Sequence, residues 1–457
     1  MDCQRTEKIL HGIHSYFLEF YKQGMVYVQD TEMMARDLLE KRKHHEEQLL
    51  NGMYWTIFSL HLLYRKYDIA TPEQREHNRA QDSAMAAALE EEDCDDAYDS
   101  VNHDGYIPAT TANRASEDGN SAETRPADNF HMLRYSNHAV LGAELDTPIL
   151  KGKDVDAILR FLKMCQREFV YEEYTYMGFA NSDDRRRFSS NISSTLMAIN
   201  AYRVIGDYLK VRSSLGYLKH MAWVYQVDEL LAYINLLYVR DEGFYRKTVL
   251  PLIPESADIR HTASAVLATS ILLRMSGHQN ENYRRKIGEW INIAEVTKHV
   301  MKHFNDDGGI GMLPNAESHC GAAFCAIAVL TVLGTLLTVP RQRLIDLRSW
   351  LLRRIAHVGG VAGRIGKPED VCYSFWVLAS LTLMNQCGIR SQILRGRDMI
   401  RFIERCQTPC GGIAPFPCDS GRPGEPDPFH SFAALMTITL IEEDRQQAAV
   451  SVLQTII

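Results

Sequence analysis

Three Gly-Gly pairs, Gly308-Gly309, Gly359-Gly360 and Gly411-Gly412, recur 51 and 52 residues apart. No other feature restricts the fold as much. After each pair a short loop leads into small and apolar residues: His319-Cys-Gly-Ala-Ala-Phe-Cys-Ala, Asp370-Val-Cys-Tyr-Ser-Phe-Trp-Val and Asp427-Pro-Phe-His-Ser-Phe-Ala-Ala. A weaker copy starts at Asp258-Ile-Arg-His-Thr-Ala-Ser-Ala. His319 and Asp370 each lie ten residues past the second glycine, and Asp427 lies fifteen past. The last loop is therefore the longest, with its extra residues within 418–426. A period this long, with two helices in each copy, predicts a helical solenoid or a closed ring. Ala322, Ala323, Ala379, Ser380, Ala433 and Ala434 allow close helix approach, and glycine supplies backbone angles that a Cβ would forbid. Equivalent helix starts then gather at one end of the ring.

The rest of the chain agrees with an all-α reading. Leu49 to Leu63 is strongly apolar, as a helix buried on most sides requires. Residues 1–71 read as N-terminal helices of the ring. Residues 72–147, with the acidic block Glu90 to Asp96, read as a low-complexity insertion expected to be disordered. Residues 148–457 read as the repeats, and Val-rich strand patterns are hard to find. A net charge of -8 and a pI near 6.1 leave no nucleic-acid footprint. No apolar run reaches the ~18 residues of a membrane span, and the N-terminus lacks the apolar core of a signal peptide. Ten scattered cysteines lack a disulfide framework, so reduced thiols in the cytoplasm are expected.

Superposing the repeats puts Asp370 and Cys372 at the first and third positions of one helix start, and His430 at the fourth position of the next. Oxygen, sulfur and nitrogen donors form a three-ligand set, and at such a site zinc keeps a fourth position open. Positions two apart on a helix are awkward for one metal, but a helix start bends away from ideal geometry. The same residues also read as an N-cap, a core thiol and a hydrogen-bonded core histidine. Arg364 and Lys367 lie on the loop feeding Asp370, and His319 and Tyr373 lie at helix starts. Three potential cations and a phenol at positive helix ends would cradle a diphosphate. Taken singly, Arg364 and Lys367 read as solvated loop charges. Arg260 reads either as a carboxylate anchor or as the partner of Asp258. Cys406 and Cys410 flank a turn without two further ligands.

Gly363-Arg364-x-x-Lys367-x-x-Asp370-x-Cys372-Tyr-Ser-Phe-Trp, Glu317-Ser-His319 and Asp427-x-x-His430 resemble the β subunits of protein prenyltransferases, from about Asp258 to Ile441. The resemblance implies an α/α toroid, catalytic zinc on Asp370, Cys372 and His430, and isoprenoid-diphosphate binding by His319, Arg364, Lys367 and Tyr373. It implies that Arg260 helps anchor the protein substrate's C-terminal carboxylate. It also implies a heterodimer with a helical α subunit. The Gly363–Trp376 stretch is similar to geranylgeranyltransferase type I, which moves a geranylgeranyl group from geranylgeranyl diphosphate to the Cys of a C-terminal CaaX box on small GTPases. Asn51-Gly-Met-Tyr-Trp55 and Trp376-Val-Leu-Ala-Ser-Leu381 look like the Rab-specific type II enzyme. Farnesyltransferases usually carry a bulky Trp where Asn51 aligns, so a longer lipid tunnel is expected here, with Trp376, Phe375 and Phe324 as candidate lining. A non-catalytic toroidal scaffold is the alternative of a different class. A terpene-cyclase relative is disfavoured, because the Asp-x-Asp-Asp motif of those enzymes is missing from these helix starts.

Overall fold

A computed structural model describes residues 5–17, 49–67, 152–182, 189–210, 226–249, 257–276, 281–391, 395–421 and 424–446. All lie in one compact unit formed from residues 1–70 and 149–457. The expected insertion at 72–147 lies outside the described residues.

Six helices form an inner ring: α2 (Leu49–Tyr67), α4 (Ile192–Lys210), α6 (Ile259–Met275), α9 (Cys320–Val332), α11 (Val371–Gln386) and α13 (Pro428–Gln446). Each packs on the next, and α13 packs back on α2, which closes the circle. The other helices are α1 (residues 5–17), α3 (Gly152–Cys165), α5 (Val227–Leu236), α7 (Glu281–Trp290), α8 (Ile293–Met301), α10 (Arg341–Leu352) and α12 (Gly396–Cys406). The division follows the side-chain pattern. In α9 and α11 apolar residues cover nearly every face and are buried, as helices enclosed by neighbours require. Helix α12 is two-sided. Met399, Ile400, Phe402, Ile403 and Cys406 are buried, while Arg397, Arg401 and Arg405 punctuate the other face. The six small residues expected between inner helices are all fully buried, so they permit the close approach.

The glycine pairs set the loops. Gly308, Gly359 and Gly411 have φ of 87°, 91° and 87°, a region that side chains resist. Each also sits on the backbone of the next outer helix, at Asp346, Asp398 and Gly12 respectively; a Cβ would be tight at Gly308 and has no room at Gly359 and Gly411. The Gly12 contact brings α1 against the last loop, with Gln407 Nε2 donating to the Ile9 carbonyl at 3.0 Å. Helix α1 thus takes the place of the next outer helix after α12, although it stands at the opposite end of the numbering.

A second device ties the helix starts together. A first-turn N–H of each inner helix donates to a carbonyl of the following loop: Leu50 to Asn181 at 3.3 Å, Ile192 to Lys247 at 3.0 Å, Ile259 to Met312 at 3.0 Å, Cys320 to Gly363 at 3.0 Å and Val371 to Pro415 at 3.1 Å. These N–H groups have no partner inside their own helix. Helix α13 begins with Pro428, which has no N–H to satisfy.

The first repeats keep this stitching with different loops. One uses Gly243 alone, at φ 75° and against the Glu295 backbone, flanked by the short strands β3 (Tyr238–Val239) and β4 (Phe244–Tyr245). The other is a hairpin of β1 (Gln166–Tyr171) and β2 (Tyr174–Phe179), paired from Gln166↔Phe179 to Tyr171↔Tyr174. This departs from the nearly all-helical expectation. The strands are built from Phe169, Val170, Tyr171, Tyr174 and Tyr176, aromatic-rich residues suited to a pleated surface, rather than from Val runs. Among the described residues no helix is long and apolar enough to cross a membrane.

Candidate metal centre and anion cradle

The site begins as a row of helix caps. Asp258, His319, Asp370 and Asp427 each precede an inner helix and accept a backbone N–H from its first turn. The bonds run from Arg260 N at 2.9 Å, Gly321 N at 3.0 Å, Cys372 N at 2.8 Å and His430 N at 2.9 Å. Asn191, for which the sequence suggests no role, caps α4 the same way through Ser194 N at 2.9 Å. Capping uses one side-chain atom and aims the rest of the group out of the helix end.

Asp370, Cys372 and His430 converge there, with one donor atom from each lying within 4.8 Å of the others. The cap and ligand readings of Asp370 are therefore compatible. Its backbone is extended, at φ -145° and ψ 142°, which is how positions two apart in sequence come to share a centre. His430 Nε2 stands 3.3 Å from Asp370 Oδ1, and its Nδ1 stands 2.6 Å from Asp427 Oδ2. Burial alone would lower the pKa of His430. Hydrogen bonds to the Asp370 and Asp427 carboxylates outweigh it and lift the ring to about 9. Burial, then the Asp370 carboxylate, pushes the Cys372 thiol far above its usual range. A cation held by this group would favour the thiolate of Cys372 and the neutral ring of His430, opposing both shifts. The donor set fits zinc, which accepts O, N and S ligands.

The neighbouring helix start supplies the cradle. His319 Nδ1 accepts the Gly321 N–H, so its proton sits on Nε2, 3.4 Å from the Tyr373 hydroxyl. Burial, with Arg364 and Arg260 nearby, holds His319 down at about 4. Of the three potential cations, His319 at that pKa brings a neutral N–H. Burial, then Cys372 and Asp370, raises Tyr373 to about 12, so it keeps its O–H. The Tyr373 ring covers Gly363, where any Cβ would collide with it. Arg364 is half-exposed and pairs with Glu317 at 3.1 Å. Lys367 is exposed on the same loop, and among the described residues no side-chain contact draws it into the cluster. Arg260 grips Asp258 through Nε at 3.0 and 3.1 Å and through Nη2 at 2.6 Å.

An aromatic wall runs inward from His430. Phe429 lies 5.2 Å from the His430 ring and 5.0 Å from Trp55, and Trp376 lies 6.2 Å from Phe429 and 4.8 Å from Phe324. Of the expected lining residues, Phe324 and Phe375 are buried in the core, whereas Trp376 is half-exposed. Trp55 and Phe429, which the sequence did not single out together, share that partial exposure. The sequence signal for Phe429 was its register, since it occupies the position of Cys372 one repeat on. Asp427 was missed as a partner of His430, although it stands at the position of Asp370.

Residues 121–456 match the family described as the prenyltransferase alpha-alpha toroid domain. Geranylgeranyl transferase type-1 subunit beta of Arabidopsis thaliana is 29% identical over 60% of this chain and 66% of its own length. Geranylgeranyl transferase type-2 subunit beta of Saccharomyces cerevisiae is 36% identical over 32% of this chain and 42% of its own length. The chain thus spans less than two thirds of the length of these curated relatives. Among solved structures, Candida albicans protein geranylgeranyltransferase-I complexed with GGPP shares 18% identity at a TM-score of 0.45, covering 65% of this chain and 80% of that one.

Proposed function

The chain belongs to the prenyltransferase α/α-toroid family, and from that premise we propose that it is the catalytic β subunit of a zinc-dependent protein geranylgeranyltransferase of type I. The observation that carries this reading is the convergence of Asp370, Cys372 and His430 beside His319 and Tyr373. A scaffold that only binds proteins needs neither. In this reading a helical α subunit completes the enzyme, geranylgeranyl diphosphate is the donor, and the Cys of a C-terminal CaaX box on small GTPases is the acceptor, in the cytoplasm.

Asp370, Cys372 and His430 would hold the zinc. When bound, the metal supplies a positive charge that favours a substrate cysteine as its nucleophilic thiolate. The chain's own residues do the rest. The His319 Nε2–H and the Tyr373 O–H donate to diphosphate oxygens, and Arg364 and Lys367 add positive charge as C1 of the lipid bonds to the substrate sulfur and its bond to the diphosphate oxygen breaks, the diphosphate leaving with the electron pair. Arg364 exchanges Glu317 for the diphosphate. Arg260, already oriented by Asp258, anchors the substrate's terminal carboxylate. Trp376, Phe429 and Trp55 line the lipid's path and exclude water.

The test is transfer. The chain, purified with its α partner, is given a short CaaL peptide and geranylgeranyl diphosphate with no escort protein. Geranylgeranylated peptide is the expected product. Type II is the second reading, favoured by the higher identity to type-2 relatives over shorter stretches. Modification of an escorted Rab substrate alone would establish it. A pure complex holding no zinc and transferring no lipid would leave the scaffold reading.

A further inference from the structure

We propose that Asp427 is the positioning residue of the metal centre, fixing which nitrogen of His430 is offered to the ion. This rests on the zinc reading above. A neutral imidazole carries one N–H. For Nε2 to bind a cation, that proton must sit on Nδ1, and Asp427 Oδ2 holds it there at 2.6 Å. The other oxygen, Oδ1, accepts the His430 backbone N–H at 2.9 Å. One carboxylate therefore fixes both ends of the residue, its place in the first turn of α13 and the direction of its ring. Nε2 is left facing Asp370, 3.3 Å away.

Asp427 is itself braced from the far end of the chain. The Tyr16 hydroxyl on α1 donates to the carbonyl of the adjacent Pro426 at 3.3 Å. A Cβ at Gly412 would strike both Tyr16 and Pro426. The loop bearing Asp427 is thus held between α1 and the last glycine turn. Carboxylates behind metal-bound histidines act in this way in general, and losing one typically costs about 10–100-fold in metal affinity.

A helix cap needs only one oxygen, whereas the proposed role needs two. Asp427→Asn separates them, because asparagine caps a helix as well as aspartate does. Its single oxygen cannot accept both N–H groups. With that oxygen on the backbone N–H, the amide NH2 faces Nδ1 and favours the tautomer with the proton on Nε2. The same error of tautomer disables a catalytic histidine when its aspartate becomes asparagine. Asp427→Ser is the second variant, a cap with no partner for the ring.

Zinc affinity is measured on the full chain by competition with a chelator, and the Co2+-substituted protein reports the ligand set through its absorption bands. Thermal melting monitors the fold. We expect both variants to bind zinc about 10–100-fold more weakly and to melt within about 2 °C of the wild type. Equal zinc affinity for wild type and Asp427→Asn, with the wild type holding one equivalent, overturns the positioning role and leaves the zinc reading standing. A wild type with no zinc affinity overturns the zinc reading, and this inference with it.

Discussion

The repeats from residue 300 onward and those before residue 250 use the same backbone stitching and very different loops. In the later half, Gly308, Gly359 and Gly411 turn at nearly one angle, and each seats on the next outer helix. His319, Asp370, Cys372, Tyr373 and His430 all stand in that half. In the earlier half a two-stranded hairpin and a single glycine do the same work, and that half contributes no candidate for the metal or the diphosphate among the described residues. A first-turn N–H bonded to the next loop's carbonyl is common to both. The ring therefore depends on a main-chain bond that any sequence can make. Tight, uniform glycine turns stand where side chains from two successive helices meet within a few ångströms.

That contrast can be broken or sharpened. Cys372→Ala should have the largest effect, with loss of stoichiometric zinc and a fall in transfer beyond the roughly 10–100-fold typical of outer-shell changes. Metal analysis and single-turnover transfer check this, and a variant with full zinc and full rate would refute the site. Gly359→Ala comes next. It imposes a left-handed residue and drives a Cβ into the Asp398 backbone, at a cost of about 3 kcal/mol or more. Denaturant titration would show it, and a neutral result would mean that the later loops are no more constrained than the earlier ones. Asn51→Trp should narrow the lipid path beside Trp55 and move the C20-to-C15 donor preference about tenfold toward C15, read by competition between the two diphosphates. Smallest is Glu173→Gly in the hairpin turn. Glu173 has φ 67°, so glycine relieves strain but loses more backbone entropy, and stability should stay within about 1 kcal/mol. Zinc content should not change.

Much of this was legible in the residues because it is local and periodic. Small residues at Ala322, Ala379 and Ala433 signal close helix packing wherever the helices go. Asp370 and Cys372 belong to one helix start, and repeat superposition brings His430 to them from 58 residues away. The β1–β2 hairpin was not legible, since its pattern is short and aromatic. Gly243 was not either, since one glycine without its pair gives no repeat signal.

By itself, the sequence determined the ring, the family and the identities of the metal-binding candidates, because turn angles, helix caps and repeat spacing are carried by neighbouring residues. Tertiary structure alone decided that His319 is neutral, that Arg260 grips Asp258, that Trp55 and Phe429 share a wall with Trp376, and that Asp427 turns His430 toward Asp370. Each of these depends on where side chains from different helix starts point once the ring has closed, and on how far burial and neighbouring charges then move their protons.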